Sequence, residues 1–192
     1  RKHHLAMVVG VVVISAAGFL IERSAMSVNY TDLLSIIARG ESRGNYNAYF
    51  GNAGNTEINF TAMPVGEVLE WQRDFVAAGH ASNAVGKYQF IRPTLAGLVK
   101  EMDIDESTPF DASLQDRLAI RLLERRGIGE YMHGRISREQ LAHNLSKEWA
   151  ALPRVIGGNP SASYYAGDGL NHSHISVDEV LTAIDSLKST KA

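Results

Sequence analysis

Cysteine is absent from this sequence of 192 residues. Its absence excludes disulfide bonds, thiolate metal sites and cysteine nucleophiles. The sequence also lacks a phosphate-binding P-loop and a His-Glu-x-x-His zinc motif. A surplus of positive charge is lacking as well, because the formal net charge is -2. This balance gives no reason to expect a nucleic-acid partner.

Residues 5–21 contain no charged side chain and form an apolar run that follows the basic segment RKHH. A basic start followed by an apolar run is typical of an export signal or a membrane anchor. The run is at the short end of the ~17–25 residues that span a bilayer. A cleaved signal peptide and a retained anchor are the alternatives, and we favour the anchor. Both alternatives export the remaining chain from the cytoplasm.

Helical periodicity dominates the rest of the chain. We expect a short tether over residues 22–30 and one mainly α domain over residues 31–188. The first helix is predicted to begin at Thr31 as N-cap and to end near Gly40 or one or two residues later. Residues 57–63 are predicted to form a short strand. The two glycine-rich loops, near 43–63 and 157–174, are long enough to carry function.

Glu41 stands where the first helix ends. The C-terminus of a helix carries partial negative charge, which raises the pKa of a carboxyl group placed there. A raised pKa suits a general acid near neutral pH, although burial would have to supply most of the shift. The alternative is a solvated acid at a helix end.

Aromatic and amide side chains form two further groups. One is GKYQF, with Tyr88 and Gln89, and the other is SYYAGDG, with Tyr164 and Tyr165. Tyrosines in such loops can stack on sugar rings and hydrogen-bond to them. The pair His172 and His174 has no acid or third histidine at ligand spacing, so we interpret it as polar loop structure. No metal or other cofactor is expected.

Several segments together resemble the lysozyme-like muramidases related to the endolysin of phage lambda, over nearly all of residues 31–185. These segments are ESRGNYNAYFGN, FTAMPVGEVLEWQ, NAVGKYQFIRPTL, FDASLQDRLAIRLLERRG, SKEWAALP and SYYAGDG. The resemblance implies an α-rich, lysozyme-like fold (α+β) with a small β element beside the cleft. It also implies that Glu41 is catalytic and that Ser42, Tyr88 and Gln89 bind substrate. Tyr165 matches a cleft tyrosine, although the motif here reads Tyr-Tyr-Ala-Gly rather than Tyr-Asn-Ala-Gly.

The resemblance implies cleavage of the bond between N-acetylmuramic acid and N-acetylglucosamine in peptidoglycan. T4-type lysozymes place an aspartate nine residues after the glutamate, and that position here is Phe50. Glu57 is the nearest downstream acid and the candidate second carboxylate. Without a second acid, Glu41 would act as acid and then as base, as in a lytic transglycosylase, which we prefer. Hydrolysis and a non-catalytic, membrane-anchored murein-binding protein are the alternatives.

The resemblance also implies where the enzyme acts, which is the periplasmic face of the inner membrane, whether anchored or released. The apolar N-terminus resembles that of signal-arrest-release endolysins, which would make residues 5–21 the contact with the inner membrane. The expected partner is the glycan strand, and the expected state is a monomer. A role in lysis and a role in cell-wall remodelling both fit these residues.

Overall fold

The computed structural model describes residues 27–167 and 172–189. This part of the chain is mainly helical, which confirms the predicted fold class at that level. The helices are α1 Thr31–Ser42, α2 Val65–Ala77, α3 Arg92–Glu101, α4 Ala112–Arg125, α5 Ile128–Met132, α6 Arg138–Ser146 and α7 Val177–Asp185. Short 3-10 turns occupy Phe60–Ala62 and Ser186–Lys188.

The predicted membrane anchor, residues 5–21, lies outside the described residues. Within 27–167 and 172–189, none of the helices combines the length and the hydropathy that crossing a bilayer requires. The last residues of the predicted tether are described and contact the 3-10 turn after α7, where the Asn29 N–H donates to the Leu187 carbonyl at 3.1 Å.

The predicted strand over residues 57–63 is wrong, because these residues form a loop that includes the 3-10 turn Phe60–Ala62. Asn55 accepts hydrogen bonds from the backbone N–H groups of Glu57 and Ile58, which removes those donors from strand pairing. Extended pairing in the described residues consists of isolated bridges, such as those that join Tyr49 to Val85 and Val85 to Phe90.

The core lies between α1, α4, α6 and α7. Each of these helices presents apolar residues at a spacing of three or four, which is the spacing that lines one face of a helix. The fully buried members are Leu33 and Ile37 from α1, Leu114 and Leu118 from α4, Leu141 and Leu145 from α6, and Val180 and Ile184 from α7. Burial of this stripe fixes the C-terminal end of α1, where Glu41 stands.

Two helix boundaries differ from the prediction. Helix α1 begins after Tyr30, and the side chain of Asn29 accepts a hydrogen bond from the Thr31 N–H, so Thr31 is not the N-cap. Its end at Ser42 agrees with the prediction, and it ends there because Arg43 adopts a left-handed conformation with φ +56°. The pattern SREQLAHNLSKEWAAL predicts a helix from Ser137 that runs to Pro153, whereas α6 ends at Ser146. The segment after Ser146 is consequently a loop.

Candidate active site

A groove crosses the surface at the end of α1. It consists of two adjoining cavities of about 540 Å³ and 370 Å³, and both are lined by Glu41 and Gln89. Tyr165, Trp149 and Phe50 line the larger cavity, whereas Tyr49 and Asn52 line the smaller one. Glu41 therefore lies where the two cavities meet, with space for a chain-like ligand on either side.

The Glu41 carboxylate is half-buried in this groove. Its Oε1 atom accepts a hydrogen bond from the Ala151 N–H at 3.0 Å. Burial raises the pKa of Glu41 from an ordinary value of 4.5 to about 7, and the hydrogen bond from Ala151 opposes that rise. The predicted increase in pKa thus comes mainly from loss of hydration.

Gly40 permits the approach of Ala151. A Cβ atom on Gly40 would lie 2.8 Å from the Cβ atom of Ala151, a distance that real side chains do not reach. Helix α1 and the loop that contains Ala151 can therefore come together only because position 40 has no side chain.

The loop after α6 forms one wall of the groove. The Trp149 indole N–H donates to the Tyr88 carbonyl at 3.2 Å, and the Tyr165 hydroxyl donates to the Lys147 carbonyl at 2.7 Å. A longer α6 would have kept the Lys147 carbonyl within the helix. The early end of α6 is what brings the Ala151 N–H to Glu41.

Tyr88 forms part of the floor of the groove and is only 1% exposed. Its hydroxyl donates to Asp116 at 2.7 Å, and the Tyr46 hydroxyl donates to the same carboxylate at 2.9 Å. Burial raises the pKa of Tyr88, and the hydrogen bond to Asp116 raises it further. With its hydroxyl bonded to Asp116, Tyr88 is held as part of the groove floor, and its predicted contact with substrate stays a prediction. Asp116 did not stand out in the sequence, because it lies on α4 at an ordinary helical position.

Gln89 points into both cavities and has an unusual backbone, with φ +51°. Its side-chain amide donates to the Gly86 carbonyl at 2.9 Å. Gly86 also has a positive φ, and a Cβ atom there would lie 2.5 Å from the Gln115 side-chain oxygen. Non-glycine residues seldom adopt positive φ, and such positions are concentrated at functional sites. The tight turn explains why GKYQF requires its glycine.

Ser42 is 1% exposed, and its hydroxyl donates to the Lys87 carbonyl at 2.6 Å. This placement suits a residue that ties α1 to the GKYQF turn, and binding of substrate by Ser42 stays a prediction. Residues 40–44, GESRG, also match the Gly-x-Ser-x-Gly pattern of serine hydrolases. That motif works on an exposed strand-to-helix turn, whereas Ser42 is buried in the last turn of a helix.

Tyr164 and Tyr165 are 44% and 40% exposed. Their ring centroids lie 5.1 Å apart in an edge-to-face arrangement. Tyr165 lines the larger cavity, and Lys147 lies 5.8 Å from the centre of the Tyr164 ring. Tyr165 is accordingly available to a ligand in the groove, as its predicted role requires.

The candidate second carboxylate, Glu57, is exposed and lines neither cavity of the groove. Glu148 does line the larger cavity, and one of its oxygens is held by Arg126 at 2.6 Å. Glu148 did not stand out in the sequence, although it lies within the segment SKEWAALP. Its place beside the groove depends on the early end of α6, which the helical pattern did not predict.

Metal binding finds no support in the part of the chain that the structure describes. No group of three or more histidine, aspartate or glutamate side chains there could hold an ion. His172 and His174 are both exposed.

A comparison with protein families shows what the chain is similar to. A family model described as Endolysin matches residues 32–167, which is more than half of the chain. The match includes Glu41, Tyr88, Gln89 and Tyr165. Comparisons with curated proteins and with solved structures found no match.

Proposed function

The chain belongs to the endolysin family, and we propose that it cleaves the β-1,4 bond between N-acetylmuramic acid and N-acetylglucosamine with Glu41 as the catalytic acid and base. Family membership supports a peptidoglycan-degrading enzyme of phage lysis. The proposal of this bond and of this catalytic residue rests on one observation. Glu41 is half-buried at the junction of the two cavities and has a pKa of about 7.

In the first step, Glu41 gives its proton to the glycosidic oxygen that leaves. With a pKa of about 7, roughly half of the carboxyl groups carry a proton at neutral pH. The Ala151 N–H bonds to Oε1, which leaves Oε2 to carry the proton towards the groove. After transfer, the same N–H stabilises the carboxylate that forms.

In the second step, the ionised Glu41 removes the proton from the C6 hydroxyl of the muramic acid. The C6 oxygen then bonds to C1, from which the leaving sugar has departed, and a 1,6-anhydro sugar results. The acetamido group of the substrate stabilises the positive charge at C1 between the two steps. This route needs one protein carboxyl group, no metal and no cofactor.

Hydrolysis is the second candidate, and Glu148 is the observation that favours it. A glycosidase that hydrolyses its substrate uses two carboxyl groups on either side of the bond. Among the described residues that line the groove, Glu148 is the carboxylate besides Glu41. Arg126 approaches one Glu148 oxygen with two nitrogens, at 2.7 Å and 2.6 Å, which favours a structural role for this acid.

Mass spectrometry of digested murein separates the two routes. We expect 1,6-anhydromuramic products from the unaltered chain. The Glu41→Gln variant should lose about 10²- to 10⁴-fold in rate, because it cannot transfer a proton. The matched Glu148→Gln variant should form the same anhydro products at a similar rate.

Reducing-end muramic acid, together with loss of activity in Glu148→Gln, would replace transglycosylation with hydrolysis. A murein zymogram that shows no clearing by the unaltered chain would favour a murein-binding protein that lacks catalytic activity.

We also propose that the enzyme works as a monomer at the periplasmic face of the inner membrane, held there by residues 5–21. The motivation is the uncharged run in the sequence. Membrane fractionation of cells that express the full chain, and of cells that express a chain without residues 5–21, tests this placement. Recovery of both chains in the same soluble fraction would contradict it.

A further inference from the structure

A second pocket borders the groove and carries positive charge. It has a volume of about 520 Å³ and is lined by the cations Arg39, Arg43 and Lys87, the acid Asp116 and the apolar residues Leu34 and Ala38. We refer to it as the basic pocket. Its charge contrasts with that of the whole chain, whose formal net charge is -2.

The basic pocket adjoins the groove at Arg43, which is exposed. Arg43 lines both the basic pocket and the smaller cavity of the groove, and Tyr88 lines both the basic pocket and the larger cavity. Arg43 follows Glu41 by two residues, so their Cα atoms are within about 7 Å of each other. A ligand seated at Glu41 can therefore extend a branch into the basic pocket.

The positive charge of the basic pocket is only partly offset, by Asp116 in its lining and by Glu179, which pairs with Arg39. Asp116 is occupied by the hydroxyls of Tyr46 and Tyr88 rather than by a cation. Lys87 donates to the Tyr46 hydroxyl at 3.1 Å and lies 4.4 Å from the centre of that ring. Among the described residues, neither Lys87 nor Arg43 forms an ion pair with a carboxylate, whereas Arg39 pairs with Glu179.

We propose that the basic pocket binds the acidic peptide stem of peptidoglycan, with Arg43 and Lys87 facing its carboxylates. This inference rests on the proposed function, because the stem is carried by the muramic acid whose bond Glu41 would cleave. Two or three extended residues reach about 7–10 Å, which is enough to pass from the groove into the basic pocket. Leu34 and Ala38 offer an apolar surface to the methyl groups of alanine in the stem.

This assignment explains the position of Arg43. Its left-handed backbone ends α1 and places the residue between the groove and the basic pocket. A guanidinium group presents a planar fork of donors that matches a carboxylate. Arg43 would thus select glycan strands that carry stems over bare strands.

Binding by the full chain with Glu41→Gln tests the proposal without cleavage. Sedimentation with intact murein strands is compared with sedimentation with strands whose stems an amidase has removed. We expect about tenfold tighter binding to the intact strands, which corresponds to ~1.4 kcal/mol. Adding Arg43→Gln should reduce this preference to threefold or less, and adding Arg39→Gln as well should reduce it further.

The matched control is Arg73→Gln, which removes one positive charge from an exposed arginine paired with Asp74 on α2. It should leave the preference for intact strands unchanged. A second measurement keeps the protein unaltered and converts the stem carboxylates to amides, which should lower binding to the level of the stripped strands.

Three results would overturn the proposal: equal binding to intact and stripped strands, an equal loss with Arg73→Gln, or full binding to amidated stems. A loss with Arg43→Gln that is the same for stripped strands would also overturn it, because Arg43 would then bind the glycan itself. Failure of the proposed cleavage would appear separately, in the products of the unaltered chain.

Discussion

The helical body and the loop of residues 43–63 meet at Glu41, and they are stabilised in different ways. In the body, leucines and other apolar residues of α1, α4, α6 and α7 are buried together. In the loop, asparagine side chains bond to the backbone. Asn55 is 3% exposed and makes four such bonds, to the carbonyls of Asn47 and Ile58 and from the N–H groups of Glu57 and Ile58.

Asn45 extends this arrangement by donating to the carbonyls of Ala53 and Asn55 and by accepting from the Asn47 N–H. Because these side chains satisfy the backbone polar groups, the loop needs neither a strand nor a helix to be ordered. One side of the groove is therefore stabilised by apolar burial, and the other side by a few buried side-chain amides. Three substitutions test that difference, in order of expected effect.

The largest effect on stability is expected from Leu118→Ala, in the centre of the body. Leu118 is fully buried, so its truncation should lower the free energy of unfolding by about 3–5 kcal/mol, measured by urea denaturation. The decrease should involve the whole described domain in one transition. The volume-conserving Leu118→Met should cost less than about 1.5 kcal/mol. A loss with Leu118→Ala that is confined to the loop would contradict the division into two regions.

A smaller and more local effect is expected from Asn55→Ala. Loss of the four bonds should cost about 2–3 kcal/mol, because backbone groups of the loop are left without partners. Hydrogen exchange should accelerate in residues 43–63 while the amides of α4 keep their protection. Asn59→Ala is the control, because Asn59 is exposed and makes one bond, with the Thr61 hydroxyl. Equal acceleration in both regions would show that the loop is not a separate unit.

The smallest effect is expected from Glu41→Gln, at the boundary, and it should depend on pH. The folded-state pKa of about 7 exceeds the ordinary 4.5, so the folded chain binds more protons between these values. Raising the pH through this window therefore destabilises the unaltered chain relative to the variant. The full shift corresponds to ~3 kcal/mol, and access of water to the half-buried carboxylate reduces the expected gain to about 1–2 kcal/mol.

The thermal midpoints of the two chains should coincide near pH 4 and separate by pH 8, with the variant higher. Glu57→Gln, which changes an exposed acid, is the control and should show no such separation. Activity of the unaltered chain should decrease as the pH rises above 7, because Glu41 then lacks its proton. A difference between the Glu41→Gln and unaltered chains that is independent of pH would mean that the carboxyl group is not desolvated.

The helical body was largely predictable from the sequence. The apolar spacing in RPTLAGLVKEM and SLQDRLAIRLLERRG predicts two helices, which are α3 and α4, and Ser176 and Glu179 have the spacing of a capping box. The structure confirms the capping box at the start of α7. The body is predictable because the period that buries a helix face is local. The end of α6 was not predictable in the same way, because Trp149 and Ala151 leave the helix for partners at Tyr88 and Glu41.

The sequence allowed several residues of the site to be predicted, but not how they are arranged. The position of Glu41 at the end of α1 followed from a local pattern, whereas its burial depends on Ala151, which is 110 residues away in the chain. The hydrogen bonds of Asp116 are equally remote in sequence. Asn55 could not be distinguished from the other asparagines of its loop, because its role depends on burial.

Gly40 fixes the distance between α1 and the loop that contains Ala151. Since the backbone of α1 contacts the Ala151 loop directly, the separation between them is set by the thickness of a peptide chain rather than by a rotamer. Neither Gly40 nor Ala151 has a side-chain rotamer that could change this separation. The position of the Ala151 loop relative to the backbone that carries Glu41 is therefore fixed by direct contact, and thermal motion of the surrounding loops would change the width of the groove before it changed that contact.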